Sequence, residues 1–190
     1  MKGCDVNYNG TEIVTQTNED SYIVGGNITA LHLASAGAPE FVEKLLTIAD
    51  IIVDPVSEDG KTPFFVAVIY AQTKILRMLH AAGADIFATD ENGLQPINIA
   101  ANFGKLETVK TLIELGADVD QIGGWEYMVT ETETPLIAAA YYGYVDIVKY
   151  LVKKGADLDI KSSTNKTALD YAVEQGHQDV AEILREAATG

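Results

Sequence analysis

The sequence predicts an all-α solenoid of about five helix–turn–helix units, and three observations predict it. A helix start recurs at Thr29-Ala30, Thr62-Pro63, Gln95-Pro96, Thr134-Pro135 and Thr167-Ala168, in steps of 33, 33, 39 and 33 residues. A Gly-Ala-Asp triplet lies at the same distance behind three of those starts: Gly83 to Asp85, Gly116 to Asp118 and Gly155 to Asp157. Each step also holds two short apolar runs with helical spacing, parted by a glycine or a small residue. One such pair cannot bury its own apolar face, so copies have to stack beside it.

The unit starting at Thr134 shows the elements most plainly. Thr134 caps a helix and Pro135 suits its first turn. Leu136 to Ala140 are apolar, and Gly143 breaks the run. Val145, Ile147, Val148, Leu151 and Val152 mark a second helix, which Lys153 and Lys154 favour at its end and Gly155 stops. The unit from Thr62 has Phe64, Val66, Ala67, Val68, Ile75, Leu76 and Leu79 as core candidates, with Ala71 in place of the inter-helix glycine. The unit from Gln95 starts on a poorer cap, and Ile97, Ile99, Ala100, Val109, Leu112 and Ile113 form its apolar faces. The unit from Thr29 has a second helix expected over Glu40 to Ala49, but Asp50 stands where the stopping glycine should be. The last unit ends in a helix with a more charged outer face, as a terminal repeat requires.

The period and both motifs resemble the ankyrin repeat, a 33-residue unit carrying T-P-L-H-x-A. The resemblance covers about Gly25 to the C-terminus. It implies stacked helix pairs with β-hairpin fingers on one side, and protein binding rather than catalysis. It also implies that His32 and His177 are structural groups bonding a neighbouring turn. Residues 1–24 form an irregular segment and 25–190 the repeat domain, with starts near 29, 62, 95, 134 and 167. Gly3 to Asn7 reads either as the tail of a preceding repeat followed by a finger insertion, or as a chance pentapeptide on an arm. The 39-residue step places a six-residue insertion before Thr134, giving an enlarged finger over 120–133.

Net charge is −15, with 28 acids against 13 bases. That argues against nucleic acid and anionic membrane surfaces, both of which select clusters of Lys and Arg. The single cysteine, Cys4, fits a reducing, cytoplasmic compartment, and no run approaches the roughly 20 apolar residues of a membrane span. There is no phosphate-binding glycine loop, no metal-ligand spacing among the three histidines, and no nucleophile–base pair. Asp118-x-Asp120 opens like a calcium loop, but Ile122 and Val129 stand where ligands are needed. No catalytic residue, cofactor or metal is expected, and the chain is read as a monomer.

In the ankyrin arrangement, the ends of the first helices and the fingers line one concave surface. The two residues at that end are Ala36-Gly37, Ile69-Tyr70, Asn102-Phe103, Tyr141-Tyr142 and Glu174-Gln175. The middle three pairs hold four aromatics, the residue type that anchors interfaces. The enlarged finger adds Trp125, Tyr127 and Met128. Glu58, Asp59, Asp90, Glu91, Glu126, Glu131 and Glu133 make an acidic rim on the same side, which calls for a partner protein with a basic rim. Two alternatives stay open: the aromatics pack on the inserted loop or on each other, and the loop folds over its own hairpin. The competing reading of the whole chain is a structural or spacer segment of a larger scaffold or channel protein.

Overall fold

The computed structural model describes residues 13–14, 23–24, 26–125 and 131–189. Among these residues are ten helices and two short hairpins, arranged as two compact units, 1–91 and 92–190. The first unit opens with β1 (Ile13–Val14) antiparallel to β2 (Ile23–Val24), Ile13 opposite Val24. Its helices are α1 (Ala30–Ser35), α2 (Pro39–Leu46), α3 (Pro63–Ile69) and α4 (Thr73–Ala81). Each pair packs together, α1 also packs on α3, and α2 on α4.

The second unit repeats this plan with three pairs. They are α5 (Pro96–Asn102) with α6 (Leu106–Glu114), α7 (Pro135–Tyr141) with α8 (Val145–Lys153), and α9 (Ala168–Glu174) with α10 (Gln178–Thr189). Its hairpin, β3 (Gly123–Trp125) against β4 (Glu131–Glu133), precedes α7. First helices α5, α7 and α9 pack in series, and so do second helices α6, α8 and α10. The architecture is the ankyrin fold expected from the repeat.

Local chemistry explains the starts. Thr62, Thr134 and Thr167 hold extended backbone, and their hydroxyls accept the N–H groups of Phe65, Ile137 and Asp170. A threonine in this role stabilises a helix by about 1 kcal/mol. Gln95 has the same extended backbone but makes no side-chain cap bond. The core comes from both helices of each pair: Leu79, Leu112 and Leu151 of the second helices are fully buried, and so are Phe64 and Leu136 of the first.

Two expectations are corrected. The second helix of the first repeat does not reach Ala49; α2 ends at Leu46, capped by Thr47. Asp50 nevertheless takes the left-handed role of Gly83, Gly116 and Gly155, at φ +62° against +93°, +104° and +84°. Asp enters this region more readily than most side chains, so the chain turns here without glycine. The second correction concerns the fingers. The first and fourth are hydrogen-bonded turns rather than β-hairpins: the Ser57 N–H donates to the Lys61 carbonyl at 3.0 Å and the Ser162 N–H to that of Lys166 at 2.9 Å. Five residues close the loop and leave no length for a ladder. Among the described residues, only the enlarged finger and the segment before Gly26 form paired strands.

Candidate interaction surface

Tyr70, Phe103 and Tyr142 are the C-cap residues of α3, α5 and α7. The shared repeat position fixes this: the helix ends there, and the cap side chain leaves the apolar stripe. Tyr70 and its neighbour Ile69 are half-buried in the first unit. In the second unit Phe103 is 48% exposed and Tyr142 37%, and they cap two helices that pack on one another. Asn102 is buried at the end of α5 rather than offered to solvent.

Around Tyr142 the tyrosines form a connected group. Tyr141 meets it edge-on at 4.9 Å, and Tyr144 stacks on it at 5.8 Å with the planes 27° apart. Tyr141 also meets Tyr171 edge-on at 5.7 Å. Burial, then the Glu133 carboxylate and the hydroxyls of Tyr141 and Tyr144, push the Tyr142 hydroxyl up. The aromatics therefore pack partly on each other, as one of the sequence alternatives has it, while Tyr142 stays 37% exposed.

The enlarged finger is held at its base by a residue the sequence reading passed over. Asn98 on α5 is 3% exposed, and its Nδ2 donates to the carbonyls of Gln121 at 2.9 Å and Glu133 at 3.2 Å. One side chain thus ties together the two ends of the finger. Gly123 completes the fit: a Cβ there would stand 2.5 Å from Asn98 Oδ1, and two hydrogen bonds keep that amide from moving aside. The available signal was positional, since Asn98 occupies the repeat position of His32. Trp125 contributes backbone to β3, while Glu126, Tyr127 and Met128 lie outside the described residues.

The acidic rim is less uniform than its sequence implies. Glu58 is exposed, yet its carboxylate accepts the Gly26 N–H at 3.1 Å. Asp59 accepts the Ser57 hydroxyl and pairs with Lys61. Burial would raise its carboxyl, but the bonds from Lys61 and Ser57 outweigh that and hold it below the usual carboxylate range. Glu91 is exposed and its N–H donates to the Asp59 carbonyl at 3.3 Å, whereas Asp90 is buried and does not stand on a rim.

Side chains also tie successive repeats inside each unit. Asp54 accepts the Asp85 N–H at 2.9 Å, and Asp120 accepts the Asp157 N–H at 3.0 Å. Burial pushes both carboxyls up, and the donated N–H offsets this in part. His32 Nε2 bonds the Lys61 carbonyl and His177 Nε2 the Tyr141 carbonyl, each at 3.0 Å. The Tyr144 hydroxyl reaches the Asn102 carbonyl at 3.4 Å, a role of the same kind that was not foreseen.

Periodic caps, periodic left-handed turns and inter-repeat ties all repeat on one frame. A family profile for ankyrin repeats in three copies matches residues 31–123 and again 97–189. The chain belongs to the ankyrin-repeat family. It is 32% identical over 174 residues to the Transient receptor potential cation channel subfamily A member 1 homolog of Caenorhabditis elegans, covering 91% of this chain and 13% of that one. It is 33% identical to Ankyrin repeat protein nuc-2 of Neurospora crassa, over 71% of this chain and 12% of that one. It is 31% identical to Protein phosphatase 1 regulatory subunit 27 of Mus musculus, over 44% of this chain and 54% of that one. The chain therefore spans about an eighth of the first two relatives. Ankyrin repeats are generally protein-interaction modules. Among the described residues, no helix is long and apolar enough to cross a membrane.

Proposed function

We propose that this ankyrin chain is a non-catalytic module that binds a partner protein through the ends of its first helices and its enlarged finger. One observation carries the reading: aromatic residues cap three first helices, and in the second unit Phe103 and Tyr142 hold nearly half and more than a third of their surface in solvent. Rigid, accessible aromatics are typical interface anchors. The enlarged finger carries Trp125, Tyr127 and Met128 in its sequence, aromatic and apolar residues suited to contact, and Asn98 ties its two feet before any partner arrives, which lowers the entropic cost of docking. Glu58, Asp59 and Glu91 in the first unit add acid that suits a basic rim on the partner. Regulation of the partner, inhibition included, is the form this binding takes.

The test is capture of a partner by the intact protein, followed by affinity measurements on Phe103→Ala, Trp125→Ala and Tyr142→Ala. Each true anchor should cost at least about 2 kcal/mol of binding, roughly thirtyfold in Kd, with little change in melting temperature. Normal binding by all three variants, or loss of folding in all three, would sink the reading.

A second reading has its own support. The chain matches only 13% and 12% of two longer relatives, one of them a cation channel subfamily member homolog. A spacer segment of a larger scaffold or channel would bind nothing through Tyr142, and the same affinity measurements separate the two.

A further inference from the structure

We propose that the segment docking on the unit 92–190 is a cationic protein segment that lays an arginine over the Tyr142 ring. This rests on the interaction reading above and names the chemistry of the partner.

Charge in this unit is unevenly shared. By sequence, the second helices α6, α8 and α10 with their cap residues carry six acids and six bases. The first helices and fingers carry nine acids and two bases, Lys161 and Lys166. By sequence, the net negative charge of the unit therefore belongs entirely to its first helices and fingers, the elements to which Phe103 and Tyr142 belong. A field of one sign attracts a segment of the opposite sign and quickens its arrival.

The chain already shows what a cation does on this side. Lys166 Nζ lies 5.3 Å from the Tyr171 ring centroid and 2.7 Å from a Glu174 carboxylate oxygen. A tyrosine face and a nearby acid together hold one cation. Tyr150, on the second-helix side, has Lys110 and Lys154 at 6.0 and 5.6 Å from its ring. Tyr142 also has an acid near it, the buried Glu133 at the foot of the enlarged finger. Its ring contacts are to Tyr141 and Tyr144 instead of to a cation.

The shape favours arginine over lysine. Tyr142 stacks on Tyr144 with the planes 27° apart and is 37% exposed, so its ring is part of a stacked pair open to solvent. A planar, weakly hydrated guanidinium extends such a stack, whereas a lysine ammonium is a compact and strongly hydrated point charge.

The experiment selects a displayed random-peptide library on the full 190-residue chain, then measures the leading peptide by calorimetry. Arginine should be enriched among the binders. Changing the peptide's arginine to lysine should weaken it at least about fivefold, and Tyr142→Ala or Tyr142→Leu at least about tenfold, with Tyr142→Phe close to wild type. Two variants guard against a loss of folding, which melting curves report. Binders that need Tyr142 but not arginine would overturn this proposal and leave the interaction reading standing. Binders indifferent to every Tyr142 variant would overturn both. A library that yields no binder would overturn the docking of a linear cationic segment.

Discussion

The first and fourth repeats share one frame and differ in how fully they use it. Helix α7 buries every residue from Pro135 to Ala140, and α8 buries Ile147, Val148 and Leu151. Helix α1 buries four residues, and α2 buries only Val42 while Phe41 stands 65% exposed. Leu46 holds the repeat position of Leu151, yet it is half-buried where Leu151 is fully buried. Pattern alone does not make a core position. Helix α2 ends at Leu46 itself, two residues short of the repeat position at which α8 ends.

The largest test of that contrast is the paired substitution Leu151→Ala and Leu46→Ala. The first should cost about 2–5 kcal/mol as a fully buried large-to-small change, and the second distinctly less. Denaturant melts read both. Equal losses, or less than about 1 kcal/mol at Leu151, would erase the distinction between the repeats.

Acid should expose the first repeat next. His32 is almost fully buried; its Nδ1 accepts the Thr29 N–H at 3.2 Å, and its Nε2–H donates to Lys61. Those two bonds require the neutral ring, because a proton on Nδ1 would face a donor. Burial, the largest cause, lowers its pKa below the ordinary 6.5, with the Lys61 carbonyl and Asp59 opposing in smaller part. The unfolded chain then binds a proton that the folded chain refuses. Stability is complete above about pH 6.5 and falls below it, by at most about 1.4 kcal/mol per pH unit until the folded pKa is reached. Melts at about pH 7.5 and 5.5 should show this loss in the wild type and a smaller one in His32→Gln. Identical losses would contradict it.

The smallest effect sharpens the comparison from the other direction. Asp50→Gly supplies the residue that the other repeats use at this left-handed turn. It should raise stability by a few tenths to about 1 kcal/mol, the relief of φ +62° being partly offset by a more flexible unfolded chain. A destabilised Asp50→Gly would mean that the aspartate side chain, rather than its backbone, matters there.

Much of this was legible in the chain. Thr62, Thr134 and Thr167 announce helix starts because a cap is a local bond, made within three residues. Leu79, Leu112 and Leu151 announce the core because a fixed period puts them on one face. The structural roles that the resemblance gave His32 and His177 are those seen. The C-cap aromatics could be placed by counting, but their exposure could not, since Asn102 beside Phe103 is buried. What stayed hidden depends on groups far apart in sequence. Asn98 bonds residues 23 and 35 positions away, and Tyr144 one 42 positions away. The early end of α2 was hidden too, because Leu45 to Ala49 keep a helical composition while the turn at Asp50 decides the boundary.

The Asn98 bonds at both feet of the enlarged finger have an engineering consequence. The Asp54 tie spans 31 positions in the first unit, and the Asp120 tie spans 37 in the second, yet they are the same bond. The added residues lie, in sequence, between Gln121 and Glu133, and the tie beyond them is the one that the shorter finger makes. Finger length is thus decoupled from helix stacking. The stretch between those two carbonyls is a socket: a sequence of another length could be spliced into it, and the frame would present that sequence from the same two fixed points.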